Sequence, residues 1–168
     1  MSRDSQPLNH LDDAGNAHMV NIGEKPVTSR RAIAQGWITM APTTLKRLMN
    51  EEIEKGDAIA VARIAGIQGA KETARAIPLC HPLALTHVSI DISPLPAENR
   101  VVITSTCETT GKTGVEMEAL HSATVAALSL YDMLKGIDKG MVLGGFRVVA
   151  KEGGTSGASY QDPLQGTS

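Results

Sequence analysis

A chain of 168 residues suits one domain with ragged ends, and its apolar fraction of 42% with 20% charged residues is that of a globular protein rather than a fibrous or disordered one. The net charge of −2, with no basic run and no aromatic platform, speaks against nucleic-acid binding, and no apolar stretch approaches the ~20 residues of a membrane span. One Trp, two Tyr and one Phe leave the core to Ala, Val, Ile, Leu and Met, a thin supply that favours burying more surface by oligomerisation.

The opening "MSRDSQPLNH" lacks the apolar core of a secretory leader, and two cysteines make no disulfide framework, so a cytoplasmic, reduced setting is expected. Residues 1–20 are polar and read as a flexible arm, 21–154 as a single domain, and 155–168 as a flexible tail. In chain order, "SRRAIAQG" reads as a helix capped by Ser29 and stopped by Gly36. "APTTLKRLMNEEIEKGD" is a second helix, with Leu45, Leu48 and Met49 as its apolar stripe. "AIAVARIAG" reads as a buried strand, and "IQGAKETARAI" as a helix halted by Pro78. "THVSIDISPL" alternates with period two, and "RVVITSTCETT" returns beside it as an antiparallel hairpin. "VEMEALHSATVAALSLYDMLKGID" is a helix of six or seven turns, followed by the strand "MVLGGFRVVAKEGG". From Ala58 the order is therefore β-α-β-β-α-β. That predicts an α+β, ferredoxin-like antiparallel sheet with its helices on one face, plus extra N-terminal helices.

Several motifs carry chemistry. "TTGKTG" imitates a phosphate loop, but the first glycine of that motif would fall on Thr106, so only an anion-binding turn at a helix N-terminus is expected. Cys80, His81, His87, Cys107 and His121 show none of the paired spacings of zinc sites, which argues against a metal. In the long helix, Asp132 and Lys135 share a face and interrupt an apolar run, where burial would depress the lysine pKa and suit it to acid–base work. Glu118 and Asp132 lie fourteen residues apart, about 21 Å along the axis yet within about 40° around it. One chain cannot bring both to one pocket; two such helices crossing at a two-fold interface could. "IPLCHPL" holds His81 between Pro78 and Pro82, either as a stiff mount for a functional ring or as a structural turn with a surface histidine.

"ARIAGIQGAKETARAIPLCHPL", "TTGKTGVEMEAL" and "LYDMLKGIDKGM" closely resemble the MoaC-type cyclic pyranopterin monophosphate synthases, and the resemblance spans nearly all of the chain. It implies a ferredoxin-like fold and a homo-hexamer built as a trimer of dimers, with sites at the dimer interface. It also implies a lyase reaction without a cofactor: a GTP derivative already cyclised between ribose carbon 3′ and guanine carbon 8 becomes cyclic pyranopterin monophosphate, releasing pyrophosphate. By position, Asp132, Lys135 and Lys55 match the acid–base residues, with His81 beside them. Leu79, Cys80, His81, Glu116, Met117 and Glu118 match substrate-binding segments, and Lys71 and Lys151 match lysines that meet the triphosphate. Where the family commonly has "GGKSG", this chain has "GGTSG", with Thr155 at the lysine position.

Overall fold

The computed structural model describes residues 10–154 and 157–162. Its elements are strand β1 (Thr28–Thr39), helices α1 (Pro42–Met49), α2 (Ala58–Lys71) and α3 (Thr73–Ala76), strands β2 (Leu85–Leu95) and β3 (Arg100–Gly111), helix α4 (Glu116–Leu134), and strands β4 (Val142–Glu152) and β5 (Ser159–Tyr160). The five strands form one antiparallel sheet in the order β2-β3-β1-β4-β5.

Two elements differ from the sequence reading. "SRRAIAQG" is not a helix but the heart of β1, which pairs along its whole length with β3 and, through two register shifts, with β4. Ala32, Ala34 and Ile38 point into the core while Arg31, Gln35 and Trp37 alternate to the other face. The period of two is present, but Ala, Arg and Gln favour helices on propensity, and the two flanking strands override that preference. "AIAVARIAG" is not a strand but the start of α2. Its cap is Asp57, whose side chain accepts the N–H of Ala60 at 2.8 Å. A short apolar run fits a buried strand or a buried helix equally, and the unbroken continuation to Lys71 decides for the helix. The β-α-β-β-α-β order survives with its first strand moved to Thr28, and no helix precedes that strand among the described residues. Within the segments expected to be loose, residues 10–18 form a tight turn closed by a Leu11–Ala17 bridge, and Ser159–Tyr160 pair with β4.

Helices α2 and α4 lie side by side on one face, α4 over β1, β3 and β4 and α2 over β2. The core between them is built from small residues: Ala58, Ala62, Ala123, Ala126 and Ala127 pack with Ile38, Ile90, Ile103, Leu130 and Leu134. Small side chains let the helix axes approach closely, and Ser122 donates to the Gly66 carbonyl at 2.8 Å across the contact. A Cβ built on Gly66 would lie 3.0 Å from the Ala126 Cβ and 3.1 Å from the Ser122 carbonyl oxygen. A Gly66→Val substitution should therefore destabilise by about 1–3 kcal/mol through overpacking, read as a lower urea midpoint at unchanged m-value.

The sheet's outer face is polar. Arg31 bridges Glu108 and Glu152, both at 3.4 Å, and Gln35 donates to Thr104 at 3.0 Å. Among the described residues no helix is long and apolar enough to cross a membrane.

Candidate active site

Helix α4 presents chemistry at both of its ends. At its N-terminus a cavity of about 620 Å³ opens between the Ile77–Leu83 loop, the Thr113–Gly114 turn and the chain from His10 to Lys25. Leu79, Cys80, His81, Glu116, Met117 and Glu118 all line it, so the structure brings six of the expected site residues together. Its walls are largely apolar, from Val20, Ile22, Ile77, Leu79, Leu83 and Met117, with His10, Lys25, His81, Glu116 and Glu118 among its polar lining.

The opening of α3 prepares this loop. Thr73 is buried and donates to the carbonyls one turn back, ending α2 at Glu72. Pro78 and Pro82 then stiffen the exit. The His81 ring lies 2.8 Å from the Val20 carbonyl through Nε2. A carbonyl only accepts, so Nε2 carries the proton and Nδ1 is left to face chemistry. The arm over residues 10–25 thus forms one wall, further tied by Lys112, whose ammonium donates to the Gly23 carbonyl. Sequence reading missed His10 and Val20 because residues 1–20, polar and without periodicity, look like a tail, and Ile22 and Lys25 because no local motif marks them; only tertiary contact gives all four a place.

Glu118 is the least ordinary group in the cavity. It is 4% exposed, and its carboxyl is pushed up from 4.5 to about 7, first by burial and also by the neighbouring Glu116 charge. Glu116 itself pairs with Lys151 across from β4. Burial and the Glu118 charge raise the Cys80 thiol, and burial pushes Cys107 up to about 11. Both cysteines are therefore thiols at neutral pH, which disfavours them as nucleophiles. Among the described residues no cluster of His, Cys, Asp and Glu could hold a metal ion.

At the other end of α4, Asp132 sits between two lysines. Lys135 Nζ lies 2.6 Å from Oδ1, and Lys55 Nζ lies 3.8 Å from Oδ2 while donating to the Asp132 carbonyl at 2.8 Å. Lys55 is carried there by the turn that precedes α2. The expectation of a buried pair with a depressed lysine is reversed: all three side chains are about half exposed. The hydrogen bond and charge of Asp132 raise the Lys135 ammonium, and Lys135 and Lys55 hold the Asp132 carboxyl low. The apolar run is broken here because Asp132 and Lys135 lie on the exposed side of the helix end, while Leu130 and Leu134 on its other side stay in the core. Lys71 stands exposed on the last turn of α2, away from the cavity lining, and Thr155 lies outside the described residues.

The MoaC family model matches residues 19–154. A cyclic pyranopterin monophosphate synthase of Chloroflexus aggregans is 52% identical over 157 residues, covering 94% of this chain and 95% of its own length. Another protein of that name, from Rhodospirillum rubrum, is 53% identical over 150 residues, covering 89% of this chain and 90% of its own. A solved ferredoxin protease in complex with Arabidopsis ferredoxin aligns at 14% identity over 61% of this chain and 10% of its own, with a TM-score of 0.29, too low to bear on the fold.

Proposed function

Because the chain belongs to the MoaC family, we propose that its two clusters on α4 are the halves of one active site. Its function is that of a cyclic pyranopterin monophosphate synthase, a lyase of molybdenum cofactor biosynthesis acting on a small-molecule substrate. We take that substrate to be the GTP derivative cyclised between ribose carbon 3′ and guanine carbon 8, and the second product to be pyrophosphate.

The observation that carries the reading is the cavity at the N-terminus of α4. It is lined by apolar Leu79, Leu83 and Met117 and by Glu118, whose carboxyl is pushed up to about 7. An apolar slot suits a fused ring, and a carboxyl beside it suits the ring N–H groups of a guanine-derived base. Glu118 and the free Nδ1 of His81 then give and take protons while the imidazole-derived ring opens and the pterin closes. The triphosphate carries negative charge that calls for cations and backbone N–H donors. It belongs near lysines, for which Lys55, Lys135, Lys151 and Lys71 are the candidates. Lys135, held protonated by Asp132, enters as an acid. Internal attack of a ribose hydroxyl on the α-phosphorus forms the cyclic phosphate and expels pyrophosphate. The protein positions and neutralises in that step, and no redox change or cofactor is called for.

Glu118 and Asp132 are fourteen residues apart on one straight helix, so a single chain keeps the halves about 21 Å apart. A second copy crossing at a two-fold axis joins them, and the trimer of dimers is the assembly we adopt. The sheet order, with both long helices on one face, supports a ferredoxin-like reading of the fold. We place the protein in the cytoplasm, where its two free thiols remain reduced. The test is to supply the cyclised GTP derivative to the purified protein and follow pyrophosphate together with the pterin mass. Both products in equal amount support the reading; pyrophosphate or phosphate released without the pterin would replace it with a nucleotidase.

A further inference from the structure

The loop leaving α4 carries a carboxylate outside both halves of the site. Asp138 lies three residues beyond Lys135. Its Oδ2 accepts the backbone N–H of Ala41 at 2.8 Å and the Thr44 hydroxyl at 3.1 Å, and its Oδ1 accepts the N–H of Gly140 at 2.9 Å. Ala41 is the N-cap residue of α1 and has no side chain to offer the first-turn donors. Asp138 therefore anchors the start of α1 from far along the chain, through the backbone N–H of Ala41 and the Thr44 side chain, and its three donors hold the carboxyl below the ordinary range.

The far end of α1 leads to Lys55. The Arg47 guanidinium grips the Glu52 carbonyl through two nitrogens at 3.1 and 3.3 Å, folding the chain back beneath the helix. Three residues on, Lys55 reaches the Asp132 carbonyl. The links close a ring: the end of α4, Asp138, α1, the following turn, Lys55, and back to Asp132 on α4. Leu45 and Leu48 bury the inner side of α1 and set its height above the sheet. Apolar contact resists separation but is non-directional, so it does little against sliding along the helix axis. The hydrogen bonds of Asp138 are directional and tie Ala41 and Thr44, at the start of α1, to the loop leaving α4.

We propose that Asp138 is a positioning residue: it sets the register of α1 against the end of α4 and thereby the place of Lys55 relative to Asp132 and Lys135. For catalysis the inference rests on the reading of those three as the acid–base group.

The test uses the full chain with Asp138→Ala and Asp138→Asn. Reductive methylation at neutral pH, mapped by mass spectrometry, reports directly on Lys55. Its labelling rate should rise several-fold in Asp138→Ala relative to Lys25 and Lys71 as internal references. Asparagine keeps an oxygen for Ala41 and Thr44, so it should return the rate nearly to that of the parent. In turnover, Asp138→Ala should lower kcat by about tenfold or more, move KM less, and shift the pH profile of kcat. An anchor that only stabilises would instead lower Tm by about 2–4 °C and leave the profile in place well below Tm. Unchanged Lys55 labelling in folded Asp138→Ala overturns the proposal. If labelling rises but Lys55→Ala itself retains full turnover, the positioning stands and the acid–base reading fails. Should Asp138→Ala not fold, Thr44→Val removes one donor and must move Lys55 labelling in the same direction.

Discussion

Lys135→Ala is expected to lower turnover by about 10²–10⁴-fold while leaving the fold intact, because it removes a proton donor whose side chain is half exposed and outside the core. Lys135→Arg separates the two roles of the lysine. Arginine keeps the positive charge next to Asp132 but does not give up its proton, so it should restore substrate affinity without restoring turnover. The same variant tests the shared site. Lys135→Ala mixed with Glu118→Gln should regain about a quarter of wild-type activity after subunit exchange, since half of random two-fold pairs are mixed and each mixed pair holds one site free of both changes. Verified exchange with no regained activity would mean that these two residues do not meet across an interface. Turnover of Lys135→Ala equal to wild type would remove the acid–base group from the α4 C-terminus altogether.

Glu118→Gln is expected to raise stability near neutral pH and abolish a distinct pH dependence. The folded carboxyl titrates at about 7 and the ordinary one at 4.5. Between those values the folded state holds a proton that the unfolded state has released, so stability falls as pH rises through this window and is level above it. A shift of this size corresponds to roughly 3 kcal/mol, and glutamine carries no charge to penalise. Urea midpoints from pH 4 to 8 should therefore decline for the wild type and stay nearly flat for the variant. The low-lying carboxyls of Asp12, Asp132 and Asp138 act in the opposite sense, but only as pH falls below their ordinary range, so the two effects do not overlap. Activity should fall in Glu118→Gln despite the gain in stability, because a group poised at about 7 is suited to exchange protons and an amide is not. A parallel pH dependence in wild type and variant would show that Glu118 is not the group titrating in this window.

The hairpin from Leu85 to Gly111 and the long helix α4 were legible because their apolar residues recur with a strand or helix period over ten residues or more, and β4 because its Val- and Phe-bearing run follows the helix at a glycine. The candidate site residues were named for a different reason: "IPLCHPL", "GVEMEAL" and "YDMLK" resemble family segments, and the family they point to is the one whose model matches. Periodicity failed at Ala-rich stretches. Alanine fills strand β1 and helix α2 alike, and a side chain this small carries little preference for either neighbour set. Three decisions belonged to the tertiary structure alone. Pairing with β3 and β4 made residues 28–39 a strand against their local propensity. Closure of residues 10–25 over His81 and Lys112 turned a polar segment into a cavity wall. The packing of the α4 end left Asp132 and Lys135 on its exposed side, and the loop beyond it set Asp138 at the start of α1. The sequence by itself thus determined the element types wherever hydrophobic period was strong and, through the family segments, membership of the MoaC family. The fold decided burial, protonation and which distant backbone donors each carboxylate meets, because those depend on neighbours that no local pattern specifies.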